Sequence, residues 1–564
     1  MEAPTAARPA APQSINTLIV GAGQAGLATS YWLSRAGVEH QLLERRDKLG
    51  GAWQDRWDAF CLNTPNFSLA LPGMPYDGPA PEAFMLRDDV IGYFRRYAES
   101  IGAPVRTGVD VTRIAPTEGG GFTVATSRGS WRARNVVLAT GGYQKPKIPA
   151  LSAQLPSHLL QLHTDSYRNP GQLPDGAVLI VGAGQSGGQI AEELLAVGRD
   201  IHLAVSTCPE APRRYRGQDL LYWMMQLAQF GPDYGLNGLT VGQLPSPAAR
   251  FACNPPVSGA DGGHDIHLRD LGRRGVRLHG HLEAADDGDL VFSDDLPERL
   301  GLVEAAFYQR MKPMFDSYIA ATGMSAPEPE PPRKDDWLPS EPPRLNLDAA
   351  NVTSVLWATG YRLDFSILDI PVLDEWNYPR HHRGVTEHPG LYAVGLPWLT
   401  GHGSSIVAGV GRDAEYIAQH IAGNTAAGDG DVQQAWLLRA RPVEVHWRGE
   451  ADRAEPFPGP CLDRGHSELL GNKLRRPAEH GLPLLQEVPG AAAGEEPEEG
   501  SLVEEGKRPA VAVGQHAPAR GEQRKLLRRI PVVRHERAGF AVELDPPVVG
   551  LRFVEGHQLD IVQP

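Results

Sequence analysis

Gly21-Ala22-Gly23-Gln24-Ala25-Gly26 and Gly182-Ala183-Gly184-Gln185-Ser186-Gly187 are the two stretches that decide how this chain folds. Each follows an apolar run, Thr17-Leu18-Ile19-Val20 in one case and Val178-Leu179-Ile180-Val181 in the other, and each opens a helical pattern. A buried parallel strand, a tight turn and a helix are the reading in both places. The spacing has a physical logic: the first glycine allows the turn, the second lets backbone approach a pyrophosphate, and the third packs helix on strand, with the phosphates at the helix N-terminus. One such motif is weak, because glycine-rich turns are common. Two in the same context point to two bound dinucleotides and to an α/β fold with two Rossmann-like dinucleotide-binding domains.

The strand that follows each fingerprint separates the two ligands. After the first, Gln41-Leu42-Leu43 closes on Glu44, a carboxylate about twenty residues past the glycines, where a ribose hydroxyl pair is expected. After the second, Ile201-His202-Leu203-Ala204-Val205 ends on Ser206-Thr207, with Arg213, Arg214 and Arg216 close behind. An acidic strand end accepts a free ribose and repels a phosphate, whereas hydroxyls and guanidinium forks accept a 2′-phosphate through charge-assisted bonds. The first site therefore suits FAD and the second NADPH.

Two strands end in Ala-Thr-Gly, Val136 to Gly141 and Val355 to Gly360, and mark where the chain passes between domains. The expected organisation is a disordered N-terminus over 1–14, a first part of the FAD domain over 15–150, and an inserted NADPH domain with a substrate-side insertion over 151–345. A second part of the FAD domain follows over 346–424. Within it, Leu391 to Gly395 reads as a strand leading through a glycine and serine turn to a helix from about Ser405. Such a helix, with its N-terminus toward the flavin, would stabilise the negative charge of reduced flavin. The aromatic stretch Leu220 to Met225 reads either as core or as the wall of a substrate entrance. Residues 425–564 are rich in Gly, Pro, Glu, Arg and Ala and bury too little apolar surface to offset the entropy of ordering, so a disordered tail is expected.

With 564 residues, 41% of them hydrophobic, the chain can bury a large core, and its formal charge of -14 argues against a nucleic-acid footprint. No apolar run reaches the roughly 18 residues of a membrane span, and a cytoplasmic location is expected. The four cysteines, Cys61, Cys208, Cys253 and Cys461, are scattered and suggest neither a disulfide framework nor a zinc cluster. His264/His267 and His381/His382 have too few partners for a metal site, so no metal is assigned.

Together with Gly50-Gly51-Ala52-Trp53 and Asn63-Thr64-Pro65, the fingerprints make residues 15 to 424 resemble the class B flavin-dependent monooxygenases. The similar branch is that of the flavin-containing monooxygenases and their bacterial and plant auxin-synthesis relatives. The family's identifying segment is matched in part by Ser157 to Tyr167, where His163 and Tyr167 remain while Ser157 and Leu159 replace Phe and Gly. The resemblance implies that Gly51 and Trp53 lie along FAD and that Asn63 stands beside the flavin ring as the catalytic residue. Arg45, Val111, Thr140, Gly141 and Gly360 join the glycines, Gln24, Ala25, Gln185, Ser186, Glu44, Ser206, Thr207, Arg213 and Arg214 in the expected cofactor-binding set.

The activity so implied is NADPH-dependent transfer of one oxygen atom from O2 to a small molecule through a C4a-(hydro)peroxyflavin, with N- or S-oxygenation favoured over Baeyer–Villiger chemistry. An oxidase, a dehydrogenase and a non-catalytic redox-sensing protein that binds both dinucleotides remain open alternatives. A pyridine-nucleotide disulfide reductase would need a redox-active cysteine pair near the flavin, and the sequence offers none.

Overall fold

The computed structural model describes residues 12–426, apart from 287 and 334, together with four short strands nearer the C-terminus. The first fingerprint belongs to a nine-stranded sheet. At its middle Gln13–Val20 runs parallel to His40–Leu43 on one side and to Gly129–Leu138 on the other. Leu18, Ile19, Val136, Val137 and Leu138 are fully buried there. Burial on both faces explains why these strands read as continuous apolar runs rather than as an alternation. The strand starts at Gln13, inside the stretch expected to be disordered, because its first residues already pair with Trp131 and Arg132. The expectation for 1–11 lies outside the described residues.

A second, five-stranded sheet is wholly parallel and runs in the order Leu160–His163, Val352–Trp357, Ala177–Val181, Ile201–Ala204, Arg277–His279. This corrects the domain boundary drawn at residue 346. Val352–Trp357 pairs with both Leu160–His163 and Ala177–Val181, so the chain leaves the second sheet only after Trp357. Both Ala-Thr-Gly ends do lead into linkers: Lys145–Pro146 and Tyr361–Arg362 follow them and pair antiparallel with each other. The chain returns to the first sheet through the short antiparallel strands His381–His382 and Val385–Thr386 at its edge and then Leu391–Ala393, which is parallel to Gly129–Leu138. A short 3-10 turn, His402–Ser405, then enters the helix Val407–Ala426, which starts two residues later than the sequence reading and packs on the first fingerprint helix, Gln24–Arg35.

The aromatic stretch is core. It forms the helix Leu220–Phe230, capped by the Asp219 side chain, which accepts the Leu221 N–H at 2.9 Å. Trp223 is 1% exposed, donates its indole N–H to the Tyr215 carbonyl at 2.7 Å, and packs against Phe315. Among the described residues no helix is long and apolar enough to cross a membrane. Of the stretch expected to be a disordered tail, two antiparallel hairpins are described, Val533–His535 with Gly539–Ala541 and Gly550–Val554 with Gln558–Val562. The rest of that expectation lies outside the described residues.

Candidate dinucleotide and oxygen site

The first fingerprint is built by close approach of backbone to backbone. Gly21 sits at φ +104°, and a methyl group there would lie 2.6 Å from the Ala139 carbonyl oxygen. A methyl on Gly26 would lie 2.0 Å from the Gly21 carbonyl oxygen, so a side chain at either position is sterically barred. Gly23 differs: a methyl there meets nothing within 4 Å, which leaves open space above the backbone where a pyrophosphate would rest. Gly51, at φ +52°, backs onto Gly23, since a methyl on Gly51 would lie 3.3 Å from the Gly23 Cα. Gly50, at φ +137°, packs instead against Gln54 and Ile91.

Glu44 is buried, and its carboxylate accepts the Ala22 N–H at 3.0 Å and the Arg46 N–H at 3.1 Å, bracing the turn from the strand end. Gln24 donates to the Ser405 carbonyl at 2.6 Å, tying the fingerprint helix to the start of the closing helix, and Ala25 is buried against Gly395. Thr140 and the Gly141 carbonyl both accept from Gln144 at 2.8 Å. Arg45 is exposed and lines a small cavity with Arg56, Tyr143 and Tyr361. Val111 is buried in the apolar core, and Trp53 is half-buried with its ring stacked on Phe94.

The second fingerprint repeats this construction. Gly182, at φ +107°, would put a methyl 2.6 Å from the Ala358 carbonyl oxygen, and Gly187 would put one 1.9 Å from the Gly182 carbonyl oxygen. The recurrence of Ala-Thr-Gly thus has a cause: in each domain the alanine carbonyl is the surface against which the first glycine packs. Gly360 follows the second copy at φ +78°, and its carbonyl is hydrogen-bonded to the imidazole of His163, from the partly matched family segment, at 2.9 Å. Ser186 and Ser206 are half-buried, while Thr207 and Arg214 are exposed.

Two expectations are corrected here. Arg213 is not a free phosphate partner: it is 3% exposed and forms an ion pair with the equally buried Asp219 at 2.8 Å. Its guanidinium also lies over the Phe84 ring and donates to the Asn63 carbonyl at 2.5 Å. Burial pushes the Arg213 pKa down against the pull of Asp219, and burial pushes the Asp219 carboxyl up against the pull of Arg213. The second correction concerns the scattered cysteines. Cys208 and Cys253 form a disulfide, and the two sulfurs cover Gly184. Gln185, expected on the cofactor, instead exchanges two hydrogen bonds with the Val257 backbone, at 2.5 and 3.1 Å. Both fingerprints thus fit a dinucleotide in their turn geometry, but only the first is open above its second glycine.

Asn63 is half-buried in the segment after the Gly-Gly-x-Trp turn. Three consecutive carbonyls of that segment meet the second domain: Gln189 donates to Cys61 at 3.3 Å, Gly259 packs so closely on Leu62 that a methyl would lie 2.0 Å from its oxygen, and Arg213 reaches Asn63. Sequence reasoning missed Gln189 and Gly259. Gln189 could have been suspected from its place on the fingerprint helix, two residues past the fingerprint's last glycine, whereas nothing in the sequence marks Gly259.

Behind Arg213 a chain of charges crosses the second domain. The Asp265 carboxylate accepts the Arg213 N–H, and His267 lies between Asp265 and Glu210, 3.1 Å from each. Burial works against a charge on His267, but the hydrogen bonds to Asp265 and Glu210 outweigh it and raise its pKa to about 10. His264 pairs separately with Glu192 at 2.9 Å.

Known proteins carry the same framework. The family model described as pyridine nucleotide-disulphide oxidoreductase matches residues 18–225. An uncharacterised CzcO-like oxidoreductase of Geobacillus kaustophilus is 30% identical over 412 residues, covering 72% of this chain and 98% of its own length. The chain belongs to this family, the CzcO-like oxidoreductases. The chain is also similar to the indole-3-pyruvate monooxygenase YUCCA1 of rice, 29% identical over 54% of this chain and 76% of its own length. A flavin-containing monooxygenase from Stenotrophomonas maltophilia shares the fold, with a TM-score of 0.51 at 19% identity over 73% of this chain and 99% of that one. The chain is accordingly an oxidoreductase of the CzcO-like family, similar over much of its length to a monooxygenase sequence and sharing the fold of a flavin-containing monooxygenase.

Proposed function

We propose that this CzcO-like protein uses NADPH and O2 to transfer one oxygen atom to a small-molecule substrate, with oxidation at nitrogen or sulfur favoured over Baeyer–Villiger insertion. The observation that carries the proposal is the clamp on Cys61-Leu62-Asn63, by which the second domain fixes the backbone of the one amide expected at the oxygen-reacting edge. Bound FAD, once reduced, supplies the activation of O2. Asn63 contributes a neutral amide that donates and accepts a hydrogen bond without acting as a base. An oxidant that keeps its proton is electrophilic and seeks amine or sulfide lone pairs.

Glu44, each of whose oxygens accepts one backbone N–H, keeps its remaining lone pairs at the strand end for the ribose hydroxyls of FAD. Ser206, Thr207 and Arg214 take the 2′-phosphate of NADPH, with Arg213 removed from that role. The lack of a membrane-crossing helix among the described residues is compatible with a cytoplasmic location.

Asn63→Ala separates the half-reactions. Anaerobic bleaching of the flavin by NADPH should proceed at the native rate, while hydrogen peroxide released per NADPH rises in air. Removing one preorganised donor near developing charge costs on the order of 2.7–4 kcal/mol at the most favourable sites. Unchanged peroxide yield in the variant would remove Asn63 from the oxygen chemistry.

A further inference from the structure

Cys208 follows the strand Ile201–Ala204 and is half-buried; Cys253 is exposed, in the loop between Pro247–Phe251 and Val257–Ser258. The two are bonded across a separation of 45 residues. A methyl group on Gly184 would lie 3.0 Å from the Cys253 Sγ and 3.7 Å from the Cys208 Sγ, whereas the same test at Gly23 meets nothing. The bridge therefore fills the space above the one glycine of the second fingerprint whose purpose is close approach of a pyrophosphate. A phosphate oxygen must come within about 2.7–3.2 Å of a backbone N–H to bind it, and sulfur at this position leaves no such path. The Gln185–Val257 pair holds the same loop down on its other side.

We propose that Cys208–Cys253 is a thiol–disulfide exchange site that gates the second dinucleotide position. The closed bridge keeps the loop over Gly184, and its reduction by a low-molecular-weight thiol releases the loop. In the opening reaction a small-molecule thiolate attacks the exposed Cys253 Sγ, forming a mixed disulfide and expelling the Cys208 thiolate, which takes up a proton. A second small thiol attacks the mixed disulfide, and the products are two cysteine thiols and one small-molecule disulfide. A peroxide closes the gate: the Cys253 thiolate takes one oxygen to become a sulfenic acid, the other oxygen leaves as water, and Cys208 displaces the sulfenic oxygen as a second water. Cys253 is exposed and Cys208 half-buried, which fits attack at the Cys253 side of the bridge. The gate would halt electron entry when peroxide accumulates.

This inference rests on the assignment of the second fingerprint to NADPH. The test is calorimetric binding of NADP+ to the full-length, flavin-loaded protein, with a free-thiol count taken on each sample. The four cysteines of the chain should give two thiols with the bridge closed and four after dithiothreitol. The expected result is NADP+ affinity at least about tenfold weaker with two thiols than with four. Peroxide treatment of the reduced protein should restore both the lower count and the weak binding. Cys253→Ser and Cys208→Ser should bind NADP+ tightly whether or not reductant is present. Equal affinity at two and four thiols, or four thiols persisting after peroxide, overturns the gate while leaving the NADPH assignment intact. Absence of NADP+ binding in the reduced protein and in both variants overturns that assignment and the gate with it.

Discussion

Arg213 is the residue whose replacement tests the reading of the site most informatively, because the sequence and the structure give it different jobs. Replacing it with Met keeps the length of the stem over Phe84 but deletes the charge. Asp219, 4% exposed, then loses its cationic partner, and breaking a buried pair by removing one side costs about 3–5 kcal/mol. The Asn63 carbonyl also loses its donor. Arg213→Met should therefore lower the free energy of unfolding by that amount in urea titrations followed by flavin fluorescence. The fraction of NADPH diverted to peroxide should rise, and the KM values for NADPH and NADH should shift by the same factor. Arg213→Met/Asp219→Asn should recover most of the lost stability, since no unpaired charge remains and the amide oxygen can still cap the helix at Leu221, yet it should not recover the coupling, because the Asn63 carbonyl is still without its donor. A selective rise in the KM for NADPH, with stability and coupling unchanged, would refute the clamp and restore Arg213 to the 2′-phosphate.

The glycine geometry predicts a clean division between Gly26→Ala and Gly187→Ala. With the new methyl at 2.0 or 1.9 Å from a backbone oxygen, the first variant should purify without flavin, and the second should keep its flavin and lose NADP+ binding; absorbance at the flavin band and calorimetry read the two outcomes. His267 sets a pH dependence. Its raised pKa means a contribution to stability that is complete below about 6.5 and is lost as pH rises through about 10, so the urea midpoint should fall from pH 7 to pH 10, and His267→Gln should flatten that part of the profile. Identical slopes in the two proteins would remove His267 from the account.

What was legible in the sequence were the features dictated by local sterics. Gly21, Gly26, Gly182 and Gly187 announce themselves because no side chain fits beside the backbone oxygens they approach, and the flanking apolar runs follow from burial on both faces of each sheet. Residues whose role depends on a distant partner were not legible. An arginine close behind the strand end of the second fingerprint reads as a phosphate partner until Phe84 and Asn63 are brought over it from the other domain. Cys208 and Cys253 looked scattered because the long excursion between them returns only through folding of the middle region. The strand Val352–Trp357 fell on the wrong side of the boundary for a related reason: an apolar run ending in Ala-Thr-Gly fits either sheet, and only its pairing with Ala177–Val181 assigns it.

The most direct test of the central claim is incorporation of labelled oxygen. The reduced, flavin-loaded protein would be given NADPH and 18O2 with a panel of tertiary amines and thioethers, and the products weighed by mass spectrometry. The account predicts one 18O atom in an N-oxide or S-oxide product, in amounts that rise as peroxide falls. Peroxide equal to all NADPH consumed, with no label in any organic product, would contradict it and identify an oxidase.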